Sequence, residues 1–278
     1  MTGARLVRTL VYTAGSVGGL SGAAFGLLND QVRRARLLAG QLLSDLPLNA
    51  DGVYRPNGSG PFSESDLEPL TFIVLGDSLA AGLGAETPER LPGVVLAKGL
   101  AEEIGTPVRL TTHAIPGAKT FDLPAQVDRA LIAPPDLALV IIGGNDVTAR
   151  ARIATSASTL GQQVRRLRAA GTTVVVATCP DLGVARNIPQ PLRELARRYS
   201  RALSRAQHRV LERLGAAAVS LFDLVSPDFQ LRPAELFSQD RFHPNGAGYE
   251  VAASVLLPAL CGAAGLFAAA ERRVPVAA

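Results

Sequence analysis

The sequence predicts an α/β fold, a parallel sheet with helices on both faces. Two observations lead there. Short apolar runs rich in branched residues recur five times, and each is followed by a longer stretch with helical periodicity. Units of that kind close into a parallel sheet covered on both sides, because each crossover helix must bury its apolar stripe on one face of the sheet. The composition agrees: 47% hydrophobic and 19% charged residues, over 278, suit one large packed domain and exclude a disordered chain.

In chain order, residues 1–40 come first. Arg5 and Arg8 precede "LVYTAGSVGGLSGAAFGLL", residues 10–28, which carries no charge, and Arg33, Arg34 and Arg36 follow. The stretch nearly reaches the length of a bilayer span. Ser21-Gly22-Ala23 resembles a small-residue cleavage site, and glycines at 15, 18, 19, 22 and 26 would let a helix pack closely against another. The segment is expected to be a signal or membrane anchor, placing the protein in the cell envelope; the alternative is a cytoplasmic protein with a packing helix. Residues 41–70 include a Pro/Gly/Ser/Asn-rich run without periodicity, expected as a linker or a loop wrapping the fold.

The main domain is expected over 71–268, with a tail at 269–278. Its strands are read at 71–75, 108–115, 137–142, 173–178 and 217–222, and its helices near 90–104, 122–132, 155–170, 191–214 and 246–266. In the fourth helix Leu192, Leu195, Ala196, Tyr199, Leu203, Ala206 and Val210 trace an apolar stripe opposite seven arginines. The formal charge of +4 is therefore read as a solvated helix face, with no nucleic-acid partner. Cys179 and Cys261 form neither a metal spacing nor a disulfide framework, so no metal or other cofactor is expected.

Ligands of such sheets bind at the carboxyl ends of the strands, and polar residues gather there. The first strand runs into "LGDSLAAG", with Ser78 at the turn; the second into "HAIPGAKT", with Gly117; the third into "IIGGNDVT", with Asn145; the fifth leads to "DRFHPNGAGY", with Asp240 and His243. A serine hydroxyl needs a neighbouring base, an imidazole suits that task, and a carboxylate three residues before it can fix its tautomer. The oxyanion formed on attack needs fixed donors, which the Ser78 N–H, the Gly117 N–H and the Asn145 amide would supply.

These four blocks, Gly76-Asp77-Ser78-Leu79, Gly117, Gly143-Gly144-Asn145-Asp146 and Asp240-Arg241-Phe242-His243, resemble those of the SGNH (GDSL-type) serine hydrolases, over residues 71–265. The resemblance implies a three-layer α/β/α sandwich with a five-stranded parallel sheet of flavodoxin-like kind. It also implies Ser78 as nucleophile, His243 as base, Asp240 as its orienting acid, and an oxyanion hole of Ser78, Gly117 and Asn145. A serine esterase working through an acyl-enzyme follows, on a small ester, a lipid or an acylated glycan. Short acyl or acetyl groups are favoured because no long apolar lid segment is evident, and membrane association would run through residues 10–28. An acyltransferase, lysophospholipase or thioesterase would use the same site, and a non-catalytic binding module is the least favoured rival.

Five further features receive plainer readings. Asp77 and Asp146 are expected to hold loop backbone. His113 is expected to be packed or to line the surface, and His208 to face solvent. Residues 179–194 are read as a wall facing the substrate, without chemistry of their own.

Overall fold

The computed structural model describes residues 48–271. The expected signal or anchor (1–40, including 10–28), residues 41–47 and the tail residues 272–278 lie outside the described residues.

One sheet organises the rest. Its strands are β1 (Gly52–Tyr54), β2 (Leu70–Gly76), β3 (Val108–Thr112), β4 (Leu137–Ile141), β5 (Thr173–Thr178) and β6 (Ala217–Ser220), in the spatial order β1-β3-β2-β4-β5-β6. The five strands expected from sequence are all parallel to one another. The sixth corrects the five-stranded reading: β1 lies antiparallel on β3, with Val53 opposite Arg109. Part of the segment read as linker or wrapping loop thus joins the sheet. Three residues are too few to show a period-two pattern, and only the free edge of β3 gives them a ladder to join.

Both faces of the central strands are buried, which explains why they read as continuous apolar runs rather than alternating ones. Phe72 and Val74 of β2, Leu137, Leu139 and Ile141 of β4, and Val175 and Ala177 of β5 pack into one core. The residues between them, Ile73, Leu75, Ala138, Val140, Val174 and Val176, pack into the other. The first core is covered by α1 (Pro92–Ile104) together with the long C-terminal helix. The second lies under α2 (Leu123–Ala130), α4 (Ile153–Ala169) and the end of α5 (Leu192–Arg213), the short α3 (Gly144–Ala149) lying between β4 and α4.

Two differences from the sequence reading have clear causes. On α5, Leu195 is 46% exposed while Ser200, Ser204 and Gln207 are buried. These polar groups are drawn inward because strand ends need partners: Ser204 Oγ meets Thr178 Oγ1 at 2.8 Å, and Gln207 bonds both the Cys179 N–H and the Ile142 carbonyl. The stretch after β6, read as a strand end and a long loop, winds instead into α6 (Leu221–Leu224), α7 (Ser226–Leu231) and α8 (Pro233–Leu236). Leu221, Val225 and Phe229 recur every four residues there and turn one apolar face inward.

The last helix is α9 (Gly246–Glu271), so the helix continues past the expected end of the domain at 268. Its stretch Gly246–Gly265 is long and apolar enough to cross a bilayer. Ala253, Leu256 and Leu260 nevertheless pack into the first core, as the inner face of a helix lying on the sheet.

The strand order places β2 at a switch point. Its neighbours β3 and β4 lead the chain away in opposite directions, which opens a crevice at their carboxyl ends.

Candidate active site

Ser78 enters that crevice directly from β2. At Gly76 the backbone adopts φ +140, and a Cβ there would overlap the Ile141 carbonyl oxygen, so only glycine lets β2 and β4 close at this point. Gln126 of α2 is fully buried and grips Gly76 twice, its Oε1 accepting from the N–H and its Nε2 donating to the carbonyl, each at 2.8 Å. Asp77 N–H then donates to the Ile141 carbonyl at 3.1 Å, and the Asp77 carboxylate accepts from the Leu79 N–H at 3.0 Å. Burial raises the Asp77 carboxyl to about 6, against the pull of that N–H and of His243. As expected, Asp77 holds the turn.

His243 arrives on a loop. Phe237 and Pro244 pair across its neck, and Ser238 N–H donates to the His243 carbonyl at 2.8 Å. Inside, Asp240 Oδ1 accepts from Ser238 Oγ (2.7 Å), Phe242 N–H (2.8 Å) and His243 N–H (2.9 Å). Its Oδ2 lies 2.6 Å from His243 Nδ1, and His243 Nε2 lies 2.9 Å from Ser78 Oγ. Asp240 and His243 are each 4% exposed. Burial alone would raise the Asp240 carboxyl. The His243 ring hydrogen bond and charge, with the two backbone N–H groups, outweigh it and bring it down to about 2. An ionised Asp240 holds the proton on Nδ1 and leaves the Nε2 lone pair facing the serine hydroxyl.

The proposed oxyanion donors are arranged unequally. Ser78 and Asn145 both line the cleft. Gly117 does not; it sits on an exposed turn in which Ala118 N–H donates to the Ile115 carbonyl, with φ +83 at the glycine. That turn is fastened to the Asn145 block at two points. Asn145 Nδ2 donates to the Ala118 carbonyl at 3.1 Å, and Asp146 accepts from the Thr120 N–H and hydroxyl, and from Ser156 Oγ at 2.6 Å. Asp146 thus holds loop backbone, as expected. Among the described residues neither the Ser78 nor the Gly117 N–H finds a protein acceptor, and Asn145 keeps a second amide hydrogen.

Beside Ser78 opens a cleft whose empty space, with the open solvent at its mouth included, is about 930 Å³. Its wall is largely apolar: Leu96 from α1, Leu182 and Val184 from the 179–194 loop, Phe229 from α7, Phe242 beside the histidine and Leu256 from α9. Residues 179–194 therefore do form a wall. Asp181 in that loop is buried, caps the Gly183 N–H at 2.7 Å and pairs with Arg197 at 3.2 Å.

Sequence reasoning missed three contributors. Gln126 is a lone glutamine on an amphipathic helix, and nothing in its spacing reveals that it faces a strand end. Ser238 stands two residues before Asp240 among turn formers, a pattern that could have suggested a local cap. The Phe229 wall was legible as the four-residue spacing of Leu221, Val225 and Phe229. His113 is half-buried with its carbonyl bonded by Arg129, and burial followed by the Arg129 charge lowers its pKa. His208 is exposed. No cluster of three or more His, Cys, Asp or Glu able to hold a metal occurs among the described residues.

A sequence model of the GDSL-like lipase/acylhydrolase family matches residues 74–251. A GDSL-like esterase of Mycobacterium tuberculosis is 42% identical over 256 residues, which span 89% of this chain and 81% of that one. Among solved structures, TesA superposes with a TM-score of 0.57 at 24% identity, covering 69% of this chain and 99% of its own. A lipase/acylhydrolase from Enterococcus faecalis gives 0.55 at 20% identity, covering 69% and 95%. The acetylxylan esterase Axe2 from Geobacillus stearothermophilus gives 0.52 at 19% identity, covering 68% and 93%. At these identities the structural matches speak for the fold alone.

Proposed function

Because the chain belongs to the GDSL-like lipase/acylhydrolase family and is a carboxylic ester hydrolase, we propose that Ser78, His243 and Asp240 carry the hydrolysis. The observation behind this reading is the unbroken line from Asp240 Oδ2 to His243 Nδ1 at 2.6 Å and from His243 Nε2 to Ser78 Oγ at 2.9 Å. His243 takes the hydroxyl proton as Ser78 Oγ attacks the ester carbonyl carbon. Negative charge moves to the carbonyl oxygen, where the Ser78 N–H and the Asn145 amide, both on the cleft wall, stabilise it, with the Gly117 N–H as third donor on the turn that Asn145 fastens. The imidazolium then protonates the departing alkoxide and leaves an acyl group on Ser78. A water, deprotonated by His243, attacks the acyl-enzyme and releases the acid. Asp240 stays ionised throughout, because its carboxyl titrates near 2.

The cleft supports an acyl chain longer than the acetyl or short groups favoured by sequence. Wall material comes from the α6–α7 stretch, through Leu221, Val225 and Phe229, rather than from one apolar insertion. A chain lying along Leu96, Phe229 and Leu256 would leave water for an apolar wall, at about 0.8 kcal/mol per methylene. A series of p-nitrophenyl esters tests both parts. The expected result is a rise in kcat/KM of about fourfold per added methylene until the cleft is full. A steady fall from acetate onward would restore the short-acyl reading, and no hydrolysis of any ester by folded protein would end the serine-hydrolase reading. Residues 10–28 support a cell-envelope location, where acyl lipids and acylated glycans are at hand.

A further inference from the structure

We propose that the rim of this cleft is a docking face for an anionic lipid surface, holding the mouth against the membrane from which acyl chains enter. The surface is built by two flanks at the carboxyl edge of the sheet. On one flank, the turn after β3 exposes Ile115 (43%) and Phe121 (82%). That flank is tied to the site by the bonds from Asn145 to the Ala118 carbonyl and from Thr120 to Asp146. On the other flank, Arg186 N–H donates to the Arg241 carbonyl at 3.1 Å, and the Arg186 guanidinium donates to the Gln230 carbonyl at 3.2 Å, beside Leu231 (81% exposed). Phe242, the residue after Arg241, lines the cleft and contacts His243 edge-on at 4.9 Å between ring centroids. On this reading the mouth opens between a flank that carries Ile115 and Phe121 beside the exposed Lys119–Asp122 pair and one that is both apolar and basic.

The charge pattern selects the occupant. Arg186 and Arg241 are exposed and make no ion pair among the described residues. Asp181 pairs with Arg197 and Asp240 with His243, while Asp228 and Glu235 share the single Arg232, so none of these acids pairs with Arg186 or Arg241. Large side chains this exposed, next to unpaired guanidinium groups, suit an interface whose phosphates lie above an apolar layer. A neutral protein partner would leave both arginines without counter-charge. Ile132 provides a contrast within the molecule: it is 84% exposed but follows α2 toward the amino end of β4, on the opposite edge.

The proposal takes its purpose from the serine-hydrolase reading, yet its test needs no turnover. The chain contains no tryptophan, so Phe121→Trp and, separately, Ile132→Trp each introduce a single indole into the full-length protein. With phosphatidylcholine vesicles containing phosphatidylglycerol, the indole at position 121 is expected to shift its emission to the blue and that at 132 to stay put. Adding Arg186→Gln or Arg241→Gln to the first variant should raise the lipid concentration at half-shift about fivefold each. Co-sedimentation with vesicles while the indole at 121 remains unshifted would overturn the proposal, since another segment would then be holding the membrane. Equal shifts at both positions, or equal shifts on pure phosphatidylcholine, would overturn it too. A shifted indole in protein that cleaves no soluble ester would leave docking standing and remove the hydrolase reading instead.

Discussion

Ser78 and His243 meet at 2.9 Å but are held there by different means. Ser78 is placed by backbone. Gly76 pairs with Ile141 across the sheet, Asp77 N–H reaches the same Ile141 carbonyl, and Gln126 closes on Gly76 from behind. His243 is placed by one side chain. Asp240 gathers Ser238, Phe242 and His243 around its two oxygens and so folds the loop on which it stands. A position fixed by a ladder of amides spreads its dependence over several strands. A position fixed by one carboxylate concentrates it in that group and exposes it to protonation.

The largest effect should come from breaking the meeting itself. Ser78→Ala and His243→Ala should each lower kcat about 10⁴-fold or more while circular dichroism and unfolding midpoint stay near wild type. The double variant should lose little beyond either single one, since the two act as a unit; losses that multiply would show that they act separately.

Next comes the carboxylate on which the histidine side depends. Asp240→Asn should lower kcat about 10³–10⁴-fold by letting the ring take the wrong tautomer. It also tests a pH claim. The Asp240 carboxyl lies at about 2 in the fold, below its ordinary value of 3.8. Its stabilising contribution is therefore complete above about pH 4 and is lost as pH falls through 2. Denaturant unfolding from pH 5 downward should show wild type losing stability across that window and Asp240→Asn lacking that part of the loss. Parallel curves would assign acid sensitivity to other groups.

The smallest effect should fall on the serine side. Gln126→Leu removes the acceptor of the buried Gly76 N–H, while the Gly76 carbonyl keeps the Ile115 N–H as a donor. A loss of about 1–3 kcal/mol in unfolding free energy follows from one orphaned donor. Turnover should drop far less than in Asp240→Asn, with kcat reduced and KM for a soluble ester little changed. A collapse of activity as deep as that of Asp240→Asn would mean that the sheet does not hold Ser78 in the way described.

Much of this was readable before folding, and the unread parts share a cause. The parallel strands announced themselves because both faces of β2, β4 and β5 are buried, which leaves unbroken apolar runs. The residues of the site were conspicuous because glycines and polar groups stand where an apolar run ends. β1 was not, since a three-residue edge strand has no pattern of its own. The inward turn of Ser200, Ser204 and Gln207 was hidden because a hydrophobic stripe cannot tell which helical face meets strand ends that want hydrogen bonds. For the same reason Leu195 belongs to the apolar stripe yet stands 46% exposed.

The sequence by itself determined the order of strands and helices, the hydroxyl, imidazole and carboxylate available for acyl transfer, and the strand ends from which they depart. All of that follows from local periodicity and from the few side chains able to do such chemistry. Only the tertiary structure decided that residues 165 positions apart stand 2.9 Å from each other. It alone also decided that α6 and α7 help to wall an apolar cleft beside Ser78. Those outcomes depend on which edges of a closed sheet come to lie together, a property of the packed whole that no short window of sequence contains.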